Sequence, residues 1–208
     1  MKKILIGTGN PAKFNRYSSV LGRFKDIEIV SPNAIGIANL PIIEDGHTAM
    51  DNAKKKATLY ANATDLITLS IDEALYIDFL SDEEQPKTKV RRYQSNRDLS
   101  DSEMIEKFTN ILKEMGKREV KIIWIFAICL AFPNGQVYLE EVEVKNIMID
   151  TAQKPIIKGY PLSSIIFDPI KKKTQSNYSE DDWNEHLEPV YKMVKKIVIE
   201  AGVTDEYK

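Results

Sequence analysis

Ile4-Leu5-Ile6-Gly7-Thr8-Gly9-Asn10-Pro11-Ala12-Lys13 is the stretch that decides the fold. Its apolar run predicts a short strand, its two glycines predict a tight turn, and its proline suits the first position of a helix. Apolar side chains then recur at helical spacing through Leu21. A strand that turns directly into a helix presents backbone N–H groups, the positive end of a helix dipole and, here, Lys13. This combination predicts a phosphate-binding turn.

Two other interpretations of the same turn remain open. Read as Gly-x-Gly-x-x-Ala, it fits a dinucleotide-binding fingerprint, but no acidic residue ends the next predicted strand, where Ile29-Val30 runs into Ser31-Pro32. A glycine-rich turn that binds nothing is the second alternative, since such turns are common.

The rest of the chain predicts an α/β protein with a mixed sheet. Capping boxes begin helices at Thr48 and Ser100, and a third at Ser179 begins a last helical region that Pro189 kinks or divides. An Asn-Gly turn at 134–135 joins two long strands into a hairpin. The other predicted strands are 27–30, 66–71 and 76–80, and the polar segment 81–96 is expected to be an exposed, mobile loop.

Composition excludes several classes of function. Lys and Arg total 29 against 31 Asp and Glu, and a net charge of -2 provides no field for polyanionic nucleic acid. The single cysteine, Cys129, lies in an apolar run too short to span a bilayer and is expected to be a buried, inert thiol. We therefore expect one domain over residues 1–208, of one elongated body or two joined lobes, in the reducing cytoplasm and away from membranes.

Acidic residues form a second candidate site. Glu44-Asp45 precedes the Thr48 helix, and Asp72-Glu73 follows the predicted strand 66–71. Carboxylates delivered to one edge of a sheet can share a magnesium ion that also bridges phosphate oxygens. The alternative is that they are ordinary solvated loop acids.

These motifs together resemble the inosine triphosphate pyrophosphatase family. The opening turn is similar to the family's phosphate loop, with Thr8, Asn10 and Lys13 at its signature positions. The segment from Glu44 to Ala53 is similar to its Glu-x-x-x-Thr-x-x-x-Asn-Ala pattern, which includes Asn52. Three further stretches resemble family motifs in the same order along the chain: Ile71-Asp72-Glu73-Ala74-Leu75, the apolar strand and turn 124–135, and Phe167-Asp168-Pro169.

The resemblance implies a fold, a reaction and a set of site residues. It implies two lobes with a nucleotide cleft between them, Mg²⁺ as the cofactor, a homodimer, and hydrolysis of a nucleoside triphosphate to the monophosphate and pyrophosphate. The implied catalytic residues are Asp72 and Glu73, and the implied metal ligands are Glu44 and Asp72. The implied substrate-binding residues are Thr8, Asn10, Lys13, Asn52, Phe167, Asp168 and His186.

Three departures from the family pattern leave alternatives open. Ser163-Ser164-Ile165-Ile166 replaces a glycine-rich, aromatic approach to the base, Glu185-His186-Leu187 replaces Ser-His-Arg, and a carboxylate of 179–182 replaces a lysine, where it is expected to repel a triphosphate. Phe167 and His186 are therefore candidates for core packing as well as for base contact. The alternatives to the hydrolase are a nucleotide-binding regulatory paralogue without catalysis and a hydrolase with an altered base preference.

Overall fold

The computed structural model describes residues 1–38 and 40–204. The helices are α1 (Pro11–Leu21), α2 (Ala49–Thr64), α3 (Asp101–Glu114), α4 (Glu180–His186) and α5 (Glu188–Glu200). The strands are β1 (Lys2–Ile6), β2 (Ile27–Val30), β3 (Ile67–Ile77), β4 (Glu119–Ala131), β5 (Val137–Ile149), β6 (Ile166–Asp168) and β7 (Lys173–Thr174). Short 3-10 turns lie at Val90–Arg92, Pro161–Ser164 and Gln175–Asn177.

The strands form one mixed sheet in the order β2-β1-β3-β4-β5-β6-β7. β1 pairs in parallel with β2 and β3, whereas β6 pairs antiparallel with both β5 and β7. β4 and β5 are joined by the predicted Asn-Gly turn, in which Gly135 has a φ of 87° that favours glycine. The predicted α/β class with a mixed sheet is therefore confirmed.

Local signals placed the helix ends well. Complete capping boxes are present at Thr48, Ser100 and Ser179. Pro189 lies at the second residue of α5, where a missing backbone N–H costs no helical hydrogen bond, so the proline marks a boundary between α4 and α5. No helix of the described residues is long and apolar enough to cross a membrane.

One prediction about the middle of the chain is wrong and another is confirmed in part. The expected break between 71 and 76 does not occur, because Leu75 exchanges both backbone hydrogen bonds with Lys87 and the chain stays extended through β3. The segment 81–96 is an irregular and largely exposed loop, as expected, but it is anchored at two points, and its mobility stays a prediction. The Gln85 side chain bonds the backbone N–H and C=O of Ile77, and Tyr93 is buried and stacks on Phe108 at 5.3 Å.

The chain divides into two compact units. The first comprises 1–73, 126–142 and 188–208, and the second comprises 74–125 and 143–187. The first has its core around the apolar strand β1 and helices α1, α2 and α5, and it includes Cys129. Burial raises the pKa of the Cys129 thiol to about 12, which agrees with the predicted inert cysteine. The second has a core centred on α3, with Phe108 and Leu112 fully buried.

Candidate functional site

The turn after β1 is held by its own side chains. The Thr8 hydroxyl accepts a hydrogen bond from the Asn10 N–H at 3.1 Å, and Asn10 Oδ1 accepts from the N–H groups of Ala12 and Lys13 at 2.9 and 3.4 Å. Asn10 is therefore the N-cap of α1. In this state the cap already satisfies two of the helix-end N–H groups that the sequence predicts at this turn.

Gly7 fixes this turn against its neighbours. Its N–H donates to the carbonyl of Leu69 at 2.8 Å, and its carbonyl accepts from the Ser70 hydroxyl at 3.2 Å. A Cβ at this position would lie 2.8 Å from Cδ2 of Tyr60, closer than side chains tolerate. The turn is thus set directly beside β3, the strand that carries the predicted acids.

Asp72 and Glu73 lie inside β3 and not after a strand end. Because successive strand residues point to opposite faces, the two carboxylates have different partners. Glu73 Oε1 lies 3.1 Å from Lys13 Nζ, and Asp72 Oδ1 lies 3.4 Å from Lys56 Nζ. The structure therefore brings the phosphate-loop lysine and the predicted catalytic acids into one cluster of the first unit.

Lys56 is the central residue of this cluster, and the sequence reasoning missed it. Its ammonium contacts Glu44 as well as Asp72, and only 8% of the residue is exposed. The available signal was helical spacing: Lys56 shares the buried face of α2 with Asn52 and Tyr60, whereas Lys54 and Lys55 are exposed.

Asn52 joins the acidic loop to the strand. Its Oδ1 accepts from the Gly46 N–H at 2.8 Å, and its side-chain amide hydrogen-bonds Asp72. Asn52 is 2% exposed, so in this state it holds Gly46 and Asp72 in place. Its predicted contact with substrate stays a prediction.

The electrostatics of Asp72 suit a proton acceptor. Burial raises the pKa of its carboxyl, while Lys56 and Lys13 oppose that effect without cancelling it. A carboxylate with a raised pKa is a stronger base than one in water, provided that nearby cations keep it ionised.

The donor set also fits a hard divalent cation. Glu44 and Asp72 already direct oxygens at one positive charge, the Lys56 ammonium. Among the described residues there is no group of three or more His, Cys, Asp or Glu side chains arranged to hold a metal ion. Two carboxylates that leave the remaining positions to water and phosphate are the arrangement typical of Mg²⁺.

The remaining predicted residues, Phe167, Asp168 and His186, line one cavity of about 700 Å³ in the second unit. Phe167 is held in β6 opposite Ile147. His186 lies edge-on to Tyr178 and Trp183, with ring centroids 5.7 and 6.1 Å away. The structure therefore brings together three residues that sequence reasoning could join only through the family pattern.

Asp168 organises the loop at the edge of this cavity. Its Oδ1 accepts from the N–H groups of Ile170 and Lys171 at 2.8 and 3.0 Å, and its Oδ2 accepts from the Tyr178 hydroxyl at 2.7 Å. Partial burial raises the pKa of Asp168, but the Lys171, Tyr178 and Ile170 hydrogen bonds together outweigh it and the pKa is lowered. Asp168 is thus an ionised acceptor with several donors already in place.

Segment 179–182 contains the carboxylate predicted to repel a triphosphate, and lysines of the second unit offset the negative charge of one of its members, Asp182. Asp182 belongs to the capping box of α4, where its Oδ2 accepts from the Ser179 N–H at 2.8 Å, and it forms ion pairs with Lys171, at 3.1 Å, and with Lys173. The hydrogen bond from Lys173 is the largest of the effects that lower the pKa of Asp182. Two lysines therefore offset the charge of Asp182, whereas Asp181 is exposed, and repulsion of a triphosphate by this segment stays a prediction.

Two relatives of this chain have the same name. A dITP/XTP pyrophosphatase of Bacillus subtilis is 26% identical over 200 residues, covering 95% of this chain and 98% of the relative. A dITP/XTP pyrophosphatase of Brucella melitensis is 29% identical over 76% of this chain and 72% of the relative.

Solved structures show the same fold. The Staphylococcus aureus Ham1 protein superposes with a TM-score of 0.75, and a Ham1 protein from Coxiella burnetii with 0.76. Each is 20% identical in sequence, and each match covers 96% of this chain and 100% of the other. The model of the Ham1 family matches residues 4–186, a range that includes every site residue described above. The chain therefore belongs to the Ham1 family.

Proposed function

We propose that this protein is a magnesium-dependent pyrophosphatase that cleaves inosine- and xanthosine-type nucleoside triphosphates between the α and β phosphates. The products are the nucleoside monophosphate and pyrophosphate. The observation that carries the proposal is the cluster in which Lys13 pairs with Glu73 and Lys56 pairs with Glu44 and Asp72. The relatives named dITP/XTP pyrophosphatase support the choice of substrate.

The two lysines are the proposed phosphate ligands. Lys13 and Lys56 are each held by carboxylates at the end of a flexible four-carbon side chain. Phosphate oxygens compete for the same ammonium groups, so a bound triphosphate would draw the lysines away from the acids. Thr8 and Asn10 support this role by keeping the turn and the start of α1 in place.

Glu44 and Asp72 are the proposed ligands of Mg²⁺. When bound, the ion would offset charge on the phosphate oxygens and favour departure of pyrophosphate. Asp72, helped by Glu73, would accept the proton of the attacking water, a role supported by the raised pKa of Asp72. Asn52 would keep Asp72 and the Gly46 loop in position.

The cavity of the second unit is the proposed place of the purine base. Phe167 supplies an aromatic surface and His186 a ring nitrogen, and a volume of about 700 Å³ is sufficient for a bicyclic base. Ser163 and Ser164, which replace family glycine and aromatic positions, are buried and bond to backbone carbonyls. This structural use of the serines supports an altered base preference as the second candidate.

Three further features complete the proposal: the dimer and the ion follow from the family resemblance, and the cytoplasm follows from the composition. We expect a homodimer in the cytoplasm, with Mg²⁺ rather than a transition metal as the working ion. Light scattering on the purified protein checks the dimer, and activity with Mn²⁺ or Zn²⁺ in place of Mg²⁺ checks the ion.

The decisive experiment measures pyrophosphate release from inosine, xanthosine, adenosine and guanosine triphosphates, with Mg²⁺ and with chelator. Asp72→Asn is expected to lower kcat by about 10²- to 10⁴-fold, the usual contribution of a general base. Asp45→Asn is the matched control, because Asp45 follows Glu44 directly but pairs with the exposed Lys55. Binding without hydrolysis of any nucleotide would instead favour the regulatory paralogue.

A further inference from the structure

We propose that Asn146 and Gln175 hold His186 as a neutral imidazole with its proton on Nδ1. The three side chains form one hydrogen-bonded series in the second unit, anchored at a backbone carbonyl. The assignment of the proton follows from which atoms can donate and which can accept, starting at that carbonyl. Gln175 and Asn146 are thereby positioning residues that act through His186.

The series begins at Asn146 on β5. Its side-chain nitrogen Nδ2 lies 3.1 Å from the carbonyl oxygen of Val144. A carbonyl oxygen can only accept, so the amide of Asn146 must present its NH₂ group to Val144. The opposite orientation would place two acceptors against each other. Oδ1 of Asn146 therefore points the other way, as an acceptor.

The orientation of the Asn146 amide determines the orientation of the Gln175 amide. Its terminal amide lies 2.9 Å from Oδ1 of Asn146, and an acceptor at that distance requires the Nε2 group of Gln175. Gln175 is only 5% exposed, so water has little access to offer an alternative partner. The amide of Gln175 is thereby fixed with its nitrogen towards both neighbours.

The same nitrogen of Gln175 determines the tautomer of His186. Nε2 of Gln175 lies 2.9 Å from Nε2 of His186. An amide NH₂ group carries two hydrogens and accepts none, so one hydrogen serves Asn146 and the other serves His186. Nε2 of His186 must then be the unprotonated, accepting nitrogen. The imidazole is neutral and carries its proton on Nδ1.

The tautomer has a consequence for base selection, which rests on the proposed function. His186 lines the cavity proposed for the base. A base that reaches Nδ1 of this tautomer would meet a donor, and a donor favours the six-position oxygen of inosine or xanthosine over the amino group of adenosine. Loss of one such neutral hydrogen bond should lower the preference for inosine over adenosine triphosphate about tenfold in kcat/KM.

The test reads the tautomer directly in nucleotide-free protein. The chain has two histidines, so a long-range ¹H–¹⁵N spectrum at about pH 8 contains two imidazoles, and His47→Gln assigns them. We expect His186 to show a protonated Nδ1 and an unprotonated Nε2. In Gln175→Glu, whose carboxylate only accepts, Nε2 of His186 should become protonated. Gln175→Leu should release the ring into a mixture of tautomers.

Gln153→Leu is the matched control, because Gln153 is an exposed glutamine of the same unit. Its spectrum should equal that of the wild type. A wild-type His186 with its proton on Nε2, or a spectrum unchanged by both Gln175 substitutions, would overturn the proposal. These spectra are measured without nucleotide, so their outcome does not depend on whether the protein hydrolyses a nucleotide. If hydrolysis occurs and the tautomer is as stated, an unchanged base preference in Gln175→Glu would refute the link to selectivity.

Discussion

Three consecutive lysines of α2 have different surroundings. Lys54 and Lys55 are exposed, and Lys55 pairs with Asp45. Lys56 lies on the buried face of the helix, where Glu44 and Asp72 surround its ammonium. A buried charge in this position is tolerated only because its partners are present, so the stability of the fold around Lys56 depends on the two acids and that of the acids on Lys56.

Removal of Lys56 tests that dependence. Lys56→Met keeps most of the side-chain volume but leaves Asp72 buried without its nearest cation, and we expect a loss of roughly 3 kcal/mol in the free energy of unfolding. Millimolar Mg²⁺ should restore part of this loss, since a divalent ion can replace the ammonium between the same oxygens. Urea denaturation with Mg²⁺ and with chelator measures both effects.

Lys55→Met is the control for this prediction. Its partner Asp45 is exposed, so the loss should stay within about 0.5 kcal/mol and should not depend on Mg²⁺. Equal losses for the two lysine variants would contradict a special role of Lys56.

The packing of α2 against the first turn makes a second prediction, at the level of elements. Gly7→Ala places a Cβ 2.8 Å from Tyr60, so β1 and α2 must move apart or Tyr60 must leave its rotamer. We expect a loss of about 1–3 kcal/mol, which corresponds to several degrees in Tm for a chain of this length. Thermal unfolding followed by circular dichroism measures the loss.

Gly9→Ala distinguishes crowding from a general effect of glycine. Apart from Gly9 itself and its two chain neighbours, no described residue comes within 4 Å of a Cβ built on Gly9, so its substitution should change Tm by less than about one degree. A large loss at Gly9 with none at Gly7 would show that the turn, not the helix contact, limits stability.

The capping box at the start of α3 predicts that the free energy of unfolding depends on pH. The side-chain hydrogen bond from Arg97, with Ser100 in second place, lowers the pKa of Glu103 from 4.5 to about 2. A carboxylate with a lowered folded-state pKa contributes stability above its unfolded pKa and loses that contribution as pH falls through the folded value. The stability difference between wild type and Glu103→Gln should therefore shrink as pH falls from about 5 to about 2.

Urea denaturation across that pH range measures the difference. Glu106→Gln in the same helix is the control, since Glu106 is not part of the capping box. Its difference from the wild type should not show the same decline. A pH-independent difference for Glu103→Gln would contradict the ionised cap.

Local patterns predicted most elements but not the continuity of β3. Capping boxes and the Asn-Gly turn act over a few residues, so they are visible in sequence. Asp72 looked like the end of a strand because a carboxylate normally interrupts an apolar run. Its place between two strands of the sheet and the additional pairing with Lys87, in a segment without periodicity, keep the strand extended there. Likewise Asn146 and Gln175 are 29 positions apart, and no local spacing connects them.

The net charge of the whole molecule does not favour binding of an anion, whereas individual positive side chains do. The net charge of -2 attracts no anion, so a triphosphate must be held by individual groups such as Lys13 and Lys56. Both lysines are paired with acids in the nucleotide-free protein. A triphosphate without a metal ion would therefore bring its negative charge against Glu44, Asp72 and Glu73.

Stabilisation of the whole protein by the ligand should therefore require the triphosphate and Mg²⁺ together. An inosine triphosphate analogue with a methylene group between the α and β phosphates is not cleaved, so unfolding can be measured at equilibrium. At about 100 times its dissociation constant, with Mg²⁺, it should raise the free energy of unfolding by about 2.7 kcal/mol. With chelator, or in the double variant Glu44→Gln and Asp72→Asn with Mg²⁺, the gain should be much smaller. Equal stabilisation with and without Mg²⁺ would mean that the lysines alone hold the phosphates and that the carboxylates act only on water.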